Sequence, residues 1–384
     1  MVALVGGTVF TDPDARPLEN AVVLIDGERI VEVGPKDRTL VPGAARVIDA
    51  TGMSIMAGFW NTHVHFTESK WEDASSRDAD ALSASLSEML LRWGFIRVVD
   101  TGSVLQNTEA LRARIRKGEV TGPDIWTAGM PFAPPDANPF YVEPLQLPQL
   151  KSPGEVQEAV EAHFRTEADL LKVFSGSPVA PGRTVLMPVA ALSEASGTAH
   201  ARGGLVVAHP TTNDGVRVAI AGGVDILAHT TPDGGEPWSA SLIAAMREAG
   251  MSVVPTLTLW RWSLEQQNMP DEDGMRLVRL AQEQVRDYAH AGGSILFGTD
   301  VGFITEYDPT REYVLLSEAG LPFSEILRAL TTEPSRVFGV EDAGTVSPGG
   351  SADLVIVKGR PDRDILALAD VVAVYLRGRQ VFER

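Results

Sequence analysis

The sequence predicts a mixed α/β protein, in which a (β/α)8 TIM barrel is joined to a small composite β-sandwich domain built from both termini. Through the middle of the 384-residue chain, strand-like segments alternate with segments of helical apolar spacing, which is typical of a parallel sheet. The first and last segments instead contain short alternating strands broken by glycine. Hydrophobic residues make up 44% of the chain, enough for one large core.

The two ends of the chain have similar strand patterns. The runs AVVLIDG and RIVEVG lie near the N-terminus, and SADLVIVKG and DVVAVYLRGRQVFER lie near the C-terminus. Neither end has enough strands to complete a sandwich alone. We therefore predict a β-sandwich domain over residues 1–55 and 345–384, and a barrel over residues 56–344.

Eight strand candidates lie in the predicted barrel, the number that closes it. They are SIMAGFWNTHVHF, FIRVVDTG, DIWTAG, ADLLKVFSG, GLVVAH, VDILAHT, MSVVPTLT and SILFGTD. Helical spacing is clearest in DADALSASLSEMLLRWG, SPGEVQEAVEAHFRTEA, LMPVAALSEASGTAHARGG and DEDGMRLVRLAQEQVRDYAHAGG. The stretch from Pro131 to Pro148 contains six prolines and no helical period, so we predict a lid there.

Charge and composition exclude several classes of function. With 51 acidic and 33 basic residues the formal net charge is -18, so we expect no nucleic-acid partner and no membrane partner. No apolar run approaches the roughly 20 residues that cross a bilayer, and the first residues lack a secretory signal pattern. We predict a cytoplasmic protein with a small-molecule substrate and leave open a homo-oligomer. The chain has no cysteine, so a metal ion must bind histidine, carboxylate or modified lysine.

Residues that can bind metal lie where the predicted strands end. His63 and His65 are two residues apart in a strand, so both imidazoles project from the same face. An HxH pair alone is a weak signal, but four of the seven histidines lie at predicted strand ends, where barrel enzymes keep their active sites. The strand-end residues are His63, His65, Lys172, His209, His229 and Asp300.

These residues and their surroundings resemble signatures of the amidohydrolase superfamily. The matching features are GFWNTHVHF, the LLKVFSG segment around Lys172, the two later strand-end histidines, FGTD and the C-terminal PGGSADLVIV. The interval of 20 residues between His209 and His229 is most similar to the imidazolonepropionase-like and prolidase-like branch. The resemblance covers nearly the whole chain and implies a metal-dependent hydrolase.

The resemblance also implies a site with two divalent metal ions, for which Zn2+ is the expected metal. Lys172 would react with CO2 to form a carbamate that bridges both ions. The more buried ion would be held by His63, His65, Lys172 and Asp300, and the more exposed one by Lys172, His209 and His229. A metal-bound hydroxide would attack an amide, peptide-like or cyclic amide bond of a small molecule, with Asp300 as general base.

Two positions differ from related patterns and keep other functions open. The prolidase-like branch often has a tyrosine where this chain has Thr211, which weakens a dipeptidase function. Deaminases of the superfamily often have a glutamate where this chain has Thr212. The alternative is a mononuclear cyclic amidine hydrolase or deaminase, in which Lys172 is unmodified. A non-catalytic scaffold is a third hypothesis, which the intact ligand set disfavours.

A run of three residues after predicted strand seven suggests a substrate preference. Trp260, Arg261 and Trp262 lie on the face where loops meet substrate. Indoles bury apolar area and a guanidinium binds carboxylate through two hydrogen bonds, so we predict substrates with an apolar or aromatic group and an acid. A tryptophan packed in the barrel wall and an ion pair of Arg261 with a surface acid explain the run equally well.

Overall fold

The computed structural model describes residues 1–151, 154–266 and 271–384, which have a mixed α/β fold. The strands are β1 (Val2–Val9), β2 (Leu18–Asp26), β3 (Arg29–Pro35), β4 (Arg46–Asp49), β5 (Met53–Ala57), β6 (Phe59–Val64), β7 (Phe95–Asp100), β8 (Asp124–Thr127), β9 (Leu170–Phe174), β10 (Gly176–Ala180), β11 (Arg183–Leu186), β12 (Leu205–His209), β13 (Ile226–Ala228), β14 (Ser252–Val254), β15 (Ser294–Ile295), β16 (Leu354–Lys358), β17 (Val371–Leu376) and β18 (Arg379–Glu383).

The α-helices follow the strands through the middle of the chain. They are α1 (Ala79–Met89), α2 (Leu105–Arg116), α3 (Glu155–His163), α4 (Val189–Ala201), α5 (Asn213–Ala221), α6 (Ala240–Glu248), α7 (Leu257–Gln266), α8 (Asp271–His290), α9 (Thr310–Glu318), α10 (Phe323–Leu330) and α11 (Thr332–Val337). The predicted helix SPGEVQEAVEAHFRTEA starts at Ser152 and Pro153, which lie outside the described residues, and α3 lies within the rest of it.

Strands from both ends of the chain form one hydrogen-bonded sheet. Its order is β18-β17-β16-β5-β1-β2-β3, and β4 pairs with β1. The joining contact is antiparallel pairing of β16 with β5, from Leu354 opposite Ala57 to Lys358 opposite Met53. The two termini therefore come together as strand neighbours, while the sandwich form and the domain boundaries stay predictions.

Among the described residues, eight parallel strands lie in the middle of the chain, and each lies inside one of the eight predicted segments. One sheet has the order β6-β7-β8 and the other has the order β15-β14-β13-β12-β9. Backbone hydrogen bonds connect the two sheets on both sides. Thr62 N in β6 donates to Phe297 O after β15 at 2.8 Å, and Asp169 N before β9 donates to Thr127 O in β8 at 2.8 Å.

Helices pack apolar faces against these strands. The carboxylate of Asp78 accepts a hydrogen bond from Ala81 N at 2.9 Å at the start of α1. Apolar residues then recur at helical spacing, and those of α1 that become buried are Leu82, Leu86 and Met89. β6 and β7 are buried at every residue, as expected for parallel strands covered on both faces. Among the described residues, no helix has both the length and the hydrophobicity needed to cross a lipid bilayer.

The first predicted barrel strand, SIMAGFWNTHVHF, is two strands. β5 belongs to the terminal sheet and β6 runs parallel to β7, with Gly58 between them. A Cβ atom at Gly58 would lie 2.1 Å from Ile96 Cδ1, so glycine lets the backbone pass close to β7. The prediction of one strand was wrong because both sheets bury their strands, and the apolar run continues across the break.

The predicted strand MSVVPTLT is also shorter than expected, since helix α7 begins at Leu257. The side chain of Glu312 from α9 accepts hydrogen bonds from Leu257 N at 2.9 Å and Thr258 N at 2.7 Å. These bonds satisfy amide groups that the first turn of a helix leaves free. A contact from a distant part of the chain therefore decides a conformation that the local apolar run does not.

A buried ion pair connects the terminal sheet to the parallel strands. The guanidinium of Arg97 in β7 donates to the carboxylate of Asp353, which directly precedes β16. Arg97 is 4% exposed and Asp353 is 3% exposed. Asp353 Oδ1 also accepts from Arg377 N at 2.5 Å, so this carboxylate holds three segments together.

We expect Arg97→Met to lower the free energy of unfolding by about 3–5 kcal/mol, because it leaves the buried charge of Asp353 without its partner. Urea denaturation followed by circular dichroism measures the change. The control is Arg379→Met on the exposed side of β18, which should change stability by less than about 0.5 kcal/mol. Equal effects of the two substitutions would show that the buried pair does not connect the two parts of the fold.

Candidate metal and active site

The predicted metal ligands lie in the parallel strands or in the segments that follow them. The prediction that Lys172 ends its strand was wrong, because it is the middle residue of β9, and Asp300 lies five residues after β15. Because the carboxyl ends of parallel strands meet at one edge of a sheet, side chains distant in sequence come together. Within strands lie His63 of β6, Lys172 of β9 and His209 of β12; after strands lie His65, His229 and Asp300. All are buried except His65 and His209, which are partly exposed.

The carboxylate of Asp300 is the centre of the site. Its Oδ1 lies 3.2 Å from His63 Nε2 and 2.9 Å from His65 Nε2. The backbone holds this arrangement, because Asp300 N donates to His63 O at 2.9 Å and His65 N donates to Val301 O at 2.8 Å. The segment after β15 is thus a hydrogen-bonded neighbour of the HxH strand, and both imidazoles reach the same oxygen.

The other two strand-end histidines continue this cluster. Ring centroids are 4.6 Å apart for His63 and His229, and 4.7 Å apart for His229 and His209. One potential metal-binding atom from each of His63, His229 and Asp300 lies within 4.8 Å of the other two. The four histidines and Asp300 therefore form one contiguous group.

The hydrogen bond of His65 to the backbone determines which of its two ring nitrogens carries the proton. Nδ1 lies 2.7 Å from Gly102 O, and a carbonyl oxygen only accepts, so Nδ1 carries a proton. Nε2 of the neutral ring then directs a lone pair at a carboxylate oxygen 2.9 Å away. Two acceptors at this separation require a positive charge, either a proton or a metal ion.

His229 is oriented in a similar way. Its Nδ1 lies 2.7 Å from Thr256 Oγ1, and that hydroxyl donates its single hydrogen to Pro255 O at 2.8 Å. The threonine oxygen must therefore accept from Nδ1–H. Nε2 is left as the free acceptor of the ring, which is the form in which imidazole binds a metal.

This arrangement fits a divalent metal ion. Ligand atoms about 2.1 Å from a tetrahedral zinc ion lie about 3.4 Å apart, so they approach one another closely without a hydrogen between them. The nitrogens of His63 and His65 approach Asp300 Oδ1 to 3.2 and 2.9 Å. Neutral imidazoles together with a carboxylate are ligands that zinc accepts.

Burial keeps most of the histidines neutral. It lowers the pKa of His63 and of His209 to about 3. It also lowers the pKa of His229 well below its ordinary value. Burial opposes the ionisation of Asp300, but its contacts with His63 and His65 hold its pKa well below the usual range. Burial likewise opposes protonation of His65, yet Asp300 raises its pKa.

Lys172 is a buried amine beside this group. It is 3% exposed, and its Nζ has no hydrogen-bond partner among the described residues. Burial lowers the pKa of Lys172 to about 7, against the attraction of Asp300. An ammonium group in this place would leave three donors unsatisfied, whereas a neutral amine can react with CO2. The surroundings therefore fit a modified lysine better than a charged one.

The run Trp260, Arg261 and Trp262 lies on helix α7, where successive side chains point about 100° apart. Trp260 is buried, and its Nε1 donates to Thr230 Oγ1 at 2.8 Å. Arg261 pairs with Glu265 one turn further along the helix, at 3.1 Å. Arg261 is thus paired within its own helix. The ring of Trp260 lies 6.5 Å from that of His229, and the ring of Trp262 lies 6.2 Å from that of Phe303.

The two threonines that differ from related patterns form hydrogen bonds with backbone groups through their hydroxyls. Thr211 Oγ1 donates to Gly176 O at 2.8 Å. The Thr212 hydroxyl accepts from Gly215 N at 3.3 Å and caps the start of α5. Neither side chain brings a phenol or a carboxylate to the site.

Three aromatic residues near the cluster were not predicted as site residues. One is buried Phe174, whose ring lies 4.9 Å from that of His209, and the other two are exposed. The ring of Phe303 lies 6.3 Å from that of His65, and the ring of Tyr141 lies 6.5 Å from that of His209. Tyr141 belongs to the predicted lid, which the sequence marked as a segment only. Phe303 stands three residues after Asp300, and this position next to a metal-ligand candidate was the available signal.

Comparison with known protein families covers all of these residues. The profile of the amidohydrolase family matches residues 54–381. The chain belongs to the amidohydrolase family. It is therefore a hydrolytic enzyme that acts on carbon–nitrogen bonds of small molecules, which confirms the class predicted from the sequence, and its family is metal-dependent.

Solved structures similar to this amidohydrolase cover its full length. One is a Xaa-Pro dipeptidase with methionine bound in the active site, with 22% identity, a TM-score of 0.85 and coverage of 100% of both chains. Another is a prolidase complexed with N-methylphosphonate-L-proline, with 27% identity, a TM-score of 0.79 and coverage of 100% of both chains. These neighbours are prolidase-like amidohydrolases, which confirms the branch that the sequence resembles.

A shorter similarity links this amidohydrolase to deaminases. It is 46% identical over 61 residues to a 5-methylthioadenosine/S-adenosylhomocysteine deaminase from Symbiobacterium thermophilum. The match spans 16% of this chain and only 14% of the deaminase. A segment is thus shared with that enzyme, and most of each chain lies outside the match.

We expect Thr256→Val to weaken zinc binding by about 10- to 100-fold, because valine has the same shape but cannot accept the hydrogen bond that orients His229. Competition with a chromophoric chelator measures the zinc affinity. Circular dichroism checks that the fold is kept.

Thr331→Val is the matched control for this substitution. Thr331 is also buried, but its hydroxyl donates to Leu327 O within α10, away from the histidines. Its zinc affinity should equal that of the wild type. The same loss in both variants would mean that buried hydroxyl groups stabilise the fold and that Thr256 has no particular role in orienting His229.

Proposed function

We propose that this amidohydrolase cleaves an amide, peptide-like or cyclic amide bond of a small molecule at a centre of two divalent metal ions. The observation that carries the proposal is the convergence of His63 Nε2 and His65 Nε2 on one oxygen of Asp300. The buried amine of Lys172 beside this group, which has no hydrogen-bond partner in the described part of the chain, supports a second ion. A site with one ion would not account for a neutral lysine buried among the histidines.

The residues divide between the two ions as the family resemblance implies. The first ion is assigned to His63, His65, Lys172 and Asp300. The second is assigned to Lys172, His209 and His229. Lys172 belongs to both sets as a carbamate made with CO2, and zinc suits the nitrogen-rich ligands.

We further propose that the two parallel sheets are parts of one closed (β/α)8 barrel, which the backbone hydrogen bonds on both sides support. A closed barrel holds the strand ends in a ring, so the ligands are fixed before substrate arrives. The β-sandwich domain of the two termini, a cytoplasmic location and a homo-oligomer stay predictions of the sequence.

The chain's own groups define the proton path of the reaction. Bound divalent ions would polarise the substrate carbonyl and lower the pKa of water. Asp300 is ionised, and its carboxylate accepts a proton from the attacking water as the new C–O bond forms. The same carboxyl group then passes that proton on to the leaving nitrogen when the C–N bond breaks. The products are a carboxylic acid and an amine.

A mononuclear deaminase or cyclic amidine hydrolase is the second candidate. The segment shared with a 5-methylthioadenosine/S-adenosylhomocysteine deaminase favours it. The hydroxyl of Thr212, which caps α5, argues against the deaminase, because deaminases of the superfamily often have a carboxylate there to move protons. It does not argue against a mononuclear ring-opening hydrolase. Metal stoichiometry separates the two candidates, since the deaminase requires one ion.

We expect the purified enzyme to bind about two zinc ions per chain, and Lys172→Met to bind fewer, because methionine cannot form the bridging carbamate. Elemental analysis gives the metal content. After equilibration with 13C-labelled bicarbonate, NMR should show a carbamate signal that Lys172→Met lacks. Lys358→Met on the exposed face of β16 is the control and should keep both the signal and the metal. Full activity with one ion and no carbamate signal would support the mononuclear alternative.

We expect Asp300→Asn to lower turnover of an amide substrate by about 100-fold or more, because the amide group cannot accept the proton of the attacking water. A panel of N-acyl amino acids, dipeptides, aryl amides and cyclic ureas identifies the substrate, and kcat is then compared. Asp370→Asn, in an ion pair with Arg384 at the chain end, is the control. Near-normal turnover of Asp300→Asn, with its zinc retained, would remove Asp300 from the proton path.

A further inference from the structure

Three aromatic side chains from three separate segments meet beside the metal-ligand candidates. The ring of Phe303 lies 5.5 Å from that of Tyr141 and 6.2 Å from that of Trp262. Two of the three rings also lie close to histidines. The ring of Phe303 lies 6.3 Å from that of His65, and the ring of Tyr141 lies 6.5 Å from that of His209. The aromatic group of Tyr141, Phe303 and Trp262 is thus continuous with the proposed active site.

Phe303 is held at the tip of a tight turn. Phe303 N and Ile304 N both donate to Asp300 O, at 3.2 and 3.0 Å. A Cβ atom at Gly302 would lie 1.8 Å from His65 O, so the turn rests directly on the HxH segment. The ring of Phe303 nevertheless stays 41% exposed. The same turn that carries Asp300 therefore presents an apolar surface beside His65.

Tyr141 is held by the proline-rich segment 131–148. The segment is anchored to β9, because Phe132 N donates to Lys172 O at 2.8 Å and Phe174 N donates to Phe132 O at 2.9 Å. Further along, Asn138 accepts from Leu147 N at 2.9 Å and donates to Leu145 O at 3.0 Å. Tyr141 lies inside the loop that Asn138 closes, and it is 37% exposed.

We propose that Tyr141, Phe303 and Trp262 form a subsite that binds an apolar, ring-containing group of the substrate next to the scissile bond. Exposed aromatic rings held in place beside the histidines are a surface that a bound apolar group would cover, at little cost in ordering. The inference deepens the proposed function, on which its location at the reacting centre rests.

The cation next to Trp262 supports a neutral partner for this subsite. Arg261 pairs with Glu265 at 3.1 Å. Its positive charge is therefore already compensated by a carboxylate of the chain. The substrate group bound by the aromatic residues is thus an uncharged ring, and the acid predicted from Arg261 is not part of it.

Binding of phosphonates to the zinc-loaded enzyme tests the subsite without turnover. We expect phenylphosphonate to bind about tenfold more tightly than methylphosphonate in isothermal titration calorimetry, because only the phenyl ring reaches the aromatic group. Phe303→Ala and Tyr141→Ala should each reduce this ratio to about threefold or less. Tyr141→Phe should keep the ratio, because the ring and not the hydroxyl makes the contact.

Phe140→Ala is the matched control. Phe140 is an exposed aromatic residue of the same segment, and its ring contacts Tyr141 but none of the histidines. It should leave the ratio of affinities unchanged. A wild-type enzyme that binds both phosphonates equally, or binds neither, overturns the subsite, as does a Phe303→Ala variant that keeps the wild-type ratio.

Hydrolysis of the amide panel separates this proposal from the proposed function. A phenyl preference that depends on Phe303, without hydrolysis of any amide, supports the subsite and contradicts the reaction. Hydrolysis of amides without a phenyl preference supports the reaction and contradicts the subsite. With both proposals correct, kcat/KM for anilides should exceed that for N-methyl amides by about tenfold, and Phe303→Ala should remove most of the difference.

Discussion

The approach of two imidazole nitrogens to one buried oxygen of Asp300 is the contact on which the site depends. His63 Nε2 and His65 Nε2 lie 3.2 and 2.9 Å from Asp300 Oδ1, and the orientation of His65 is set by Gly102. Three acceptors this close in a buried space repel one another unless a cation lies among them. The fold can hold this arrangement because backbone hydrogen bonds join the HxH strand to the segment that carries Asp300. Binding of a metal ion at this edge would therefore be coupled to its folding.

At this edge of the fold, the metal-ligand candidates and the aromatic residues of the proposed subsite lie on different segments. The ligand candidates lie in the parallel strands or in the segments that follow them, where the surrounding hydrogen bonds leave little freedom. The aromatic residues lie on a turn after β15, on the segment 131–148 and on α7. Substitution in these segments can change the substrate without moving the ligands, which is the general behaviour of enzymes whose sites lie on strand-end loops. The turn at Asp300 belongs to both parts, because it carries a metal-ligand candidate and Phe303.

The parts of the fold that the sequence predicted are those with a local pattern. Each of the eight predicted strand segments contains a parallel strand, because alternating apolar runs and helical spacing are properties of short windows. The predictions missed the strand boundary at Gly58 and the start of α7. The first depends on the close approach of Ile96, and the second on hydrogen bonds that Glu312 accepts. The family was confirmed, while the division of ligands between two ions and the modification of Lys172 stay predictions.

The sequence by itself determined which residues can bind metal and that they lie in strands or in the segments that follow them, because the period of a strand and the chemistry of imidazole are local facts. Only the tertiary structure decided which side chains meet. Arg261 stands beside two tryptophans in the sequence, yet on α7 it pairs with Glu265, whereas the ring of Trp260 lies 6.5 Å from that of His229. Tyr141 and Phe303 are 162 positions apart, yet their rings lie 5.5 Å from each other. Such contacts depend on how strands and loops pack around the cleft, and no window of the sequence contains that information.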